Sequence, residues 1–323
     1  MILILSKPVD KDTDCVMDWL NFLKAPVLRI NDEELMQGNV VFFYNISNEE
    51  NSYFETLSQR VYLKDITVVW YRKFGFLSDY ERRLDSVRDL VVFLHNEFKA
   101  LRELILSLLD GKKWLFERNV KKSKIEVLSI AKDIGMNIPN TLVTTERHKL
   151  DAFLKSNNGL IITKPIAEST NIKLENTYAS LSTAIVNTVN GLNKRFSPSF
   201  FQEYIDKEIE LRIFYLMGKC YPMAIFSQNN PQTKVDFRDY DWETPNRFIP
   251  YVIPIELENN IDLLMKKLKL NTGSLDVIKA SKDEKYYFLE VNPSGQFGMT
   301  AFPCNYPLHK HVAQKLISLN DEK

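Results

Sequence analysis

Two runs near the C-terminus, GSLDVIKA (273–280) and YYFLEVN (286–292), constrain this chain more than any other feature. Each has the length and the β-branched or aromatic content of a strand, so 273–279 and 286–291 are read as two facing strands. Side chains alternate along a strand, so Glu290 and Asn292 project from one face, with Asp276 in the neighbouring run. Phe288, Leu289 and Val291 make the strand look buried, and a buried carboxylate needs a partner. Carboxylate and amide oxygens side by side are hard ligands suited to Mg²⁺, which completes its shell with water and nucleotide phosphate. The bland alternative is a pair of solvent-facing residues on an edge strand.

A chain of 323 residues exceeds one small core and fits two or three subdomains. The pattern is α/β: strands at 1–6, 27–30, 40–44 and 67–71, a helix capped by Asp14, and a helix over 84–109. A second part holds a helix over 123–135, strands at 141–143 and 160–163, and a helix over 180–192. A third holds strands at 200–204, 210–217 and 220–226, a polar stretch over 227–246, and helices over 261–268 and 308–319. The expected division is 1–113, 114–195 and 196–323.

Lys plus Arg (42) equals Asp plus Glu (42), so no global field draws the chain to nucleic acid or an acidic membrane. Cys15, Cys220 and Cys304 are far apart and form no metal or disulfide pattern. No apolar run approaches the ~18 residues of a membrane span, so a cytoplasmic protein is expected. The histidines offer no nucleophile or metal spacing.

Lys164 ends the apolar run LIITKP, where its ammonium can stand over a cleft as a point charge for phosphate. Lys124 opens the helix KIEVLSIAKDIG and reads equally as a solvated lysine beside Lys121 and Lys122. In FFQEYIDKEIELRIF, the backbone of Glu203, Tyr204 and Ile205 can read an adenine edge between apolar walls. Glu210 and Arg212 alternate onto one face; Arg212 is either a guanidinium for phosphate or carboxylate, or half of a cross-strand ion pair.

In this order, Lys124, Lys164-Pro165, QEYI, ELR, GSLDV and FLEVNPSGQF resemble the ATP-grasp superfamily over about 114–297. The resemblance implies an ATP-grasp fold with ATP between two α+β lobes. Residues 1–113 stand as a pre-ATP-grasp α/β domain, followed by a central and a C-terminal lobe. It implies Lys124 and Lys164 on the phosphates, Glu203–Ile205 on adenine, Glu210 near the ribose, and Asp276, Glu290 and Asn292 holding two Mg²⁺. A narrower likeness, to the graspetide maturases of the grasp-with-spasm subgroup, rests on YRK (71–73), on MAIFSQNNPQTKVDFRDYDWETPNRFIPYVIP (223–254) and on GQF (295–297). One departure is IAESTNIKLENTYAS (166–180), which lacks the glycines usual in the loop over the phosphates.

The activity implied is an ADP-forming ligation. An Asp or Glu side chain of a ribosomal precursor peptide is phosphorylated and joined to a Ser/Thr hydroxyl or a Lys amine, closing a macrocycle. Arg212 and Arg238 would position the carboxylate and stabilise an oxyanion, and Asp236 would orient Arg238 or take a proton. Arg238, Arg247 and Lys234 form a local basic cluster suited to an acidic core following a leader. The residues leave oligomeric state unreadable; the resemblance admits a homodimer. Two rivals stand: a ligase joining an amino acid to a small acid or protein terminus, and a nucleotide-binding module without turnover.

Overall fold

Ile2–Ser6 is buried at every residue, as befits a strand paired on both sides and covered on both faces. It pairs in parallel with Val27–Asn31 on one edge and Val68–Tyr71 on the other, and Lys113–Leu115 extends the sheet beyond the latter, again in parallel. The computed structural model describes residues 1–75, 88–116, 123–167, 171–174, 177–180 and 183–322. Their contacts divide the chain into two units, Met1–Asn119 with Leu270–Thr272 and Pro293–Lys323, and Val120–Lys269 with Gly273–Asn292.

In the first unit the parallel sheet packs Leu3, Leu5, Ile30 and Val69 against Phe98, Ile105 and Leu109 of the helix Arg88–Leu108 and its end. The part of the expected helix before residue 88 lies outside the described residues. The helix after the first strand is Lys11–Phe22; Asp10 stands at its N-cap, and Asp14, expected there, lies in its first turn. No helix among the described residues is long and apolar enough to cross a membrane.

Besides a two-stranded pair, Asn171–Leu174 with Thr177–Ser180, the second unit contains two larger sheets. One runs Ala184–Val186, Ile161–Lys164, Arg195–Glu203, Thr141–Glu146, with Leu150 and Leu154 of the helix Arg147–Ser156 packed on Ile161 and Phe201. The other runs Arg247–Pro250, Lys219–Phe226, Lys207–Leu216, Thr272–Ala280, Tyr286–Asn292. The chain passes from the first sheet to the second through Tyr204, Ile205 and Asp206 alone. The helix Lys124–Asp133 starts with a capping box between Ser123 and Glu126, which satisfies two of its orphan amides.

The helix expected over 180–192 is not formed among the described residues: Thr177–Ser180 pairs with Asn171–Leu174, and Ala184–Val186 pairs with Ile161–Lys164. Thr183, Ile185, Val186, Thr188 and Val189 weigh against helix, because β-branched side chains lose χ1 freedom there. An unpaired edge at Ile161–Lys164 offers strand hydrogen bonds instead. Leu275 is fully buried in the five-stranded sheet. Leu275→Ala is expected to cost the second unit about 2–5 kcal/mol, measured as a lowered urea midpoint by tryptophan fluorescence and far-UV dichroism.

Candidate active site

The acidic strands meet in a defined register. Ser274 faces Asn292, Asp276 faces Glu290, and Val277 faces Phe288, so Leu289 is an extra residue forming a bulge beside the carboxylate pair. Bulges re-aim side chains and recur beside active sites. Asp276 is buried, and its carboxylate accepts from Arg212 Nη1 at 2.6 Å. Arg212 lies on Lys207–Leu216, the strand next to Thr272–Ala280. The cross-strand ion pair anticipated for Arg212 is therefore made with Asp276, while its buried Nε has no hydrogen-bond acceptor among the described residues.

Glu290 gathers the remaining cations. Lys124 Nζ lies 3.2 Å from Oε2, and Arg238 Nη1 lies 3.7 Å from Oε1. Lys124 is thus not a free surface lysine: the first residue of its helix reaches the acidic strand. Burial works to raise the Glu290 pKa, but Lys164, Lys124 and Arg238 together hold it below the usual range. Asp276 goes the other way: burial, with the Glu290 charge added, pushes its pKa up in spite of Arg212. Burial also lowers the Lys164 ammonium to about 8, although Glu290 opposes the shift. Lys164 stands at the end of its strand, 5.6 Å from the Phe200 ring centroid.

Arg238 is held by a two-pronged clasp, Nε to Asp236 Oδ1 at 2.8 Å and Nη2 to Asp236 Oδ2 at 2.9 Å. Thr183 Oγ1 donates to the same Oδ2 at 3.1 Å. Both Asp236 oxygens are committed, which suits an orienting role better than proton transfer. Burial tends to raise the Asp236 pKa, but the Arg238 hydrogen bonds and charge carry it below the usual range. Those hydrogen bonds from Arg238 to Asp236 also hold the guanidinium firmly as a cation.

One cavity between the two larger sheets of the second unit joins most of these groups; Lys124 and Arg212 are not in its lining. Lys164 lies on one side, Glu203, Tyr204 and Ile205 at the crossover, and Glu210, Asp236, Arg238, Asp276 and Glu290 on the other. Asn292 ends its strand opposite Ser274. Arg247 lies apart from this lining, at an exposed position with its guanidinium 5.8 Å from the Phe226 ring. Lys121 and Lys122 are outside the described residues, as are 168–170 and 175–176 of the glycine-free loop.

Lys207 was missed in the sequence. It is buried, lines the cavity, ion-pairs with Glu210 and donates to the Val235 carbonyl at 3.1 Å. Ser227 Oγ donates to Glu210 Oε1 at 2.8 Å, the same oxygen that meets Lys207. Burial raises the Glu210 pKa despite Lys207. The available signal was a lysine starting the strand KEIELRIFYL, whose first half mixes charged and apolar residues, three residues before a glutamate.

The residues suit Mg²⁺. Two carboxylates oppose one another in register, one of them driven toward its neutral form by burial and by its neighbour, and a divalent cation relieves that repulsion. No group of three or more His, Cys, Asp or Glu suited to a metal occurs among the described residues. An all-protein cage is therefore lacking there, and Mg²⁺ rarely needs one.

No family model matches the chain, and no curated protein does. Solved structures do. A RiPP-associated ATP-grasp ligase of Chryseobacterium gregarium, in complex with ADP and a leader and core peptide, has TM-score 0.84 at 25% identity, over 98% of this chain and 96% of that one. The macrocyclase MdnC of Microcystis aeruginosa, bound with precursor peptide MdnA, has TM-score 0.83 at 24% identity, over 98% and 99%. D-alanine–D-alanine ligase of Bacillus anthracis has TM-score 0.52 at 14% identity, over 98% and 95%. The chain has the ATP-grasp ligase fold.

If the Lys164 ammonium meets phosphate, kcat/KM for ATP, which reports the free enzyme, should be high below pH 8 and fall above it as the proton is lost. Lys164→Arg should abolish that fall up to about pH 9.5, because a guanidinium stays charged. Initial rates of ADP release across the pH range read both.

Proposed function

We propose that this chain is an ADP-forming peptide ligase that activates side-chain carboxylates of a ribosomally made precursor and closes them into macrocycles. The observation that carries the reading is the convergence of Lys124, Lys164 and Arg238 on Glu290, with Asp276 opposite it, in the fold of ligases solved with precursor peptides. Such a cluster is laid out for a polyanion and divalent cations. The fold of D-alanine–D-alanine ligase is matched less well, TM-score 0.52 against 0.84.

Glu203, Tyr204 and Ile205 would hold adenine at the crossover between the sheets, and Glu210 would offer the ribose its Oε2, since Lys207 and Ser227 both meet Oε1. Lys124 and Lys164 would meet phosphate oxygens. Asp276, Glu290 and Asn292 would hold Mg²⁺, two ions in this reading, supplying Lewis-acid stabilisation of the phosphate charge. A peptide Asp or Glu carboxylate attacks the γ-phosphorus of ATP, the bond to the ADP oxygen breaks, and an acyl-phosphate forms. A Ser or Thr hydroxyl, or a Lys amine, then attacks the acyl carbon. Phosphate departs with the electrons of the broken C–O bond, and the nucleophile's proton is released.

Arg238, held by Asp236, would meet the carboxylate and then the oxyanion, and Arg212 would assist it in this reading. The preferred core would be acidic and rich in Ser, Thr or Lys, with Arg247 a grip outside the cavity. Free thiols at Cys15, Cys220 and Cys304 fit a reducing cytoplasm.

Co-expression with a candidate precursor should give peptide masses lowered by one water per bond formed. Glu290→Ala should reduce peptide-dependent ADP release roughly 10²-fold or more, and parental activity in that variant would refute the metal assignment. Arg238→Met should lower kcat about 10²–10³-fold while leaving KM for ATP near the parental value, checked by steady-state kinetics at saturating peptide.

A further inference from the structure

Two motifs remain outside the site just described: YRK at 71–73 and SGQF at 294–297. In the structure they are one hydrogen-bonded body inside the first unit. Arg72 Nη1 donates to the carbonyls of Ser294 at 3.0 Å and Gly295 at 3.1 Å. Its Nε donates to Asp10 Oδ2 at 3.3 Å, and its Nη2 lies 3.5 Å from Asp12 Oδ2. That Asp12 oxygen also accepts from the Phe297 amide at 3.0 Å, and the other Asp12 oxygen contacts His309 Nε2 at 3.0 Å. The guanidinium lies over the rings of Trp70 and Phe297. Arg72, Asp10 and Asp12 are all less than 5% exposed. A Cβ on Gly298 would stand 2.6 Å from Asp12 Oδ1, so the chain seats closely against the carboxylate.

The location explains the chemistry. In open parallel sheets, ligands bind outside the carboxyl ends of strands where the order switches direction. Here Ile2–Ser6 pairs with Val27–Asn31 on one side and Val68–Tyr71 on the other. Asp10 and Asp12 follow the first of these strands and Arg72 follows the last. The crevice that would take a ligand is filled instead by the protein's own turn, whose carbonyls and amide are bound as a ligand's would be.

That turn begins one residue after Asn292. We propose that Arg72 is a positioning residue for the metal-binding strand: by clasping the Ser294 and Gly295 carbonyls it fixes the chain end from which Asn292 and Glu290 are presented. The inference rests on the reading that those two residues and Asp276 hold Mg²⁺. The link to them is covalent, through Pro293, and needs no contact of Arg72 with metal or nucleotide. The planar fork matters, because one Arg72 nitrogen spans two carbonyls while the others face Asp10 and Asp12.

The test measures Mn²⁺ binding by electron paramagnetic resonance in the presence of ADP, per mole of folded protein, together with ADP affinity in EDTA. Arg72→Lys keeps the charge beside Asp10 and Asp12 but loses the fork. Insertion of one glycine between Pro293 and Ser294 leaves the buried ion pairs untouched and slackens the tether. Both variants should bind Mn²⁺ at least about tenfold more weakly than the parent, with metal-free ADP affinity within about twofold. Parental Mn²⁺ affinity in the folded variants, whatever happens to Tm, overturns the proposal; if Arg72→Lys fails to fold, the insertion decides alone. A parent that takes up no Mn²⁺ with ADP sinks the metal reading itself, and the coupling with it.

Discussion

Everything in the second unit turns on two carboxylates that face each other across neighbouring strands, Asp276 and Glu290. Like charges this close and this poorly hydrated resist joint ionisation, and the surrounding elements read as four separate supplies of positive charge. A neighbouring strand brings Arg212, a helix start brings Lys124, a loop brings Arg238, and the other sheet brings Lys164. These cations do not fully relieve the pair, because burial and the Glu290 charge still push the Asp276 pKa up in spite of Arg212. Fixed charges of this kind need no reorganisation when a phosphoryl group shifts between oxygens, and that is where electrostatic catalysis is strongest.

The loop carrying Asp236 and Arg238 has little regular structure, yet it is tied down at many points. Thr233 donates to the Ser227 carbonyl at 3.2 Å and to Asn246 at 2.9 Å, and Asn230 donates to Asp241 at 2.7 Å. Lys207 adds a buried tie to the Val235 carbonyl, the residue before Asp236. A polar composition that reads as a solvated loop is here spent on internal bonds. Rigid placement of a guanidinium on an irregular segment requires this, since a loop without such bonds would lose the geometry on which positional catalysis relies.

The late strands were legible because their apolar content and period are strong, and Glu290 and Asp276 stood out as charges that burial would penalise. Lys164 was legible for the same reason, at the end of an apolar run. The pair of strands after it was not: Asn171–Leu174 and Thr177–Ser180 are only four residues each, and their pairing is a tertiary outcome that local propensity does not encode. Lys207 was missed because nothing local shows that its pairing with Glu210 is buried, and its other acceptor, the Val235 carbonyl, lies 28 residues away. The ion network of the first unit was invisible for a similar reason. Arg72 and the turn it binds are separated by 222 residues or more, and only the sheet topology brings them together.

The sequence Asn292-Pro293 can now be given a physical meaning. Pro293 has no amide hydrogen, so it cannot donate to a ladder, and the strand ends with Asn292. The proline ring also excludes the helical region for the residue before it, holding Asn292 extended. An extended Asn292 keeps the two-residue alternation and so shares a face with Glu290. Beyond the proline, the Ser294 and Gly295 carbonyls are free of strand pairing and can turn toward Arg72. The same dipeptide therefore ends the sheet, orients the last oxygen-bearing side chain, and delivers the chain to the crevice of the parallel sheet.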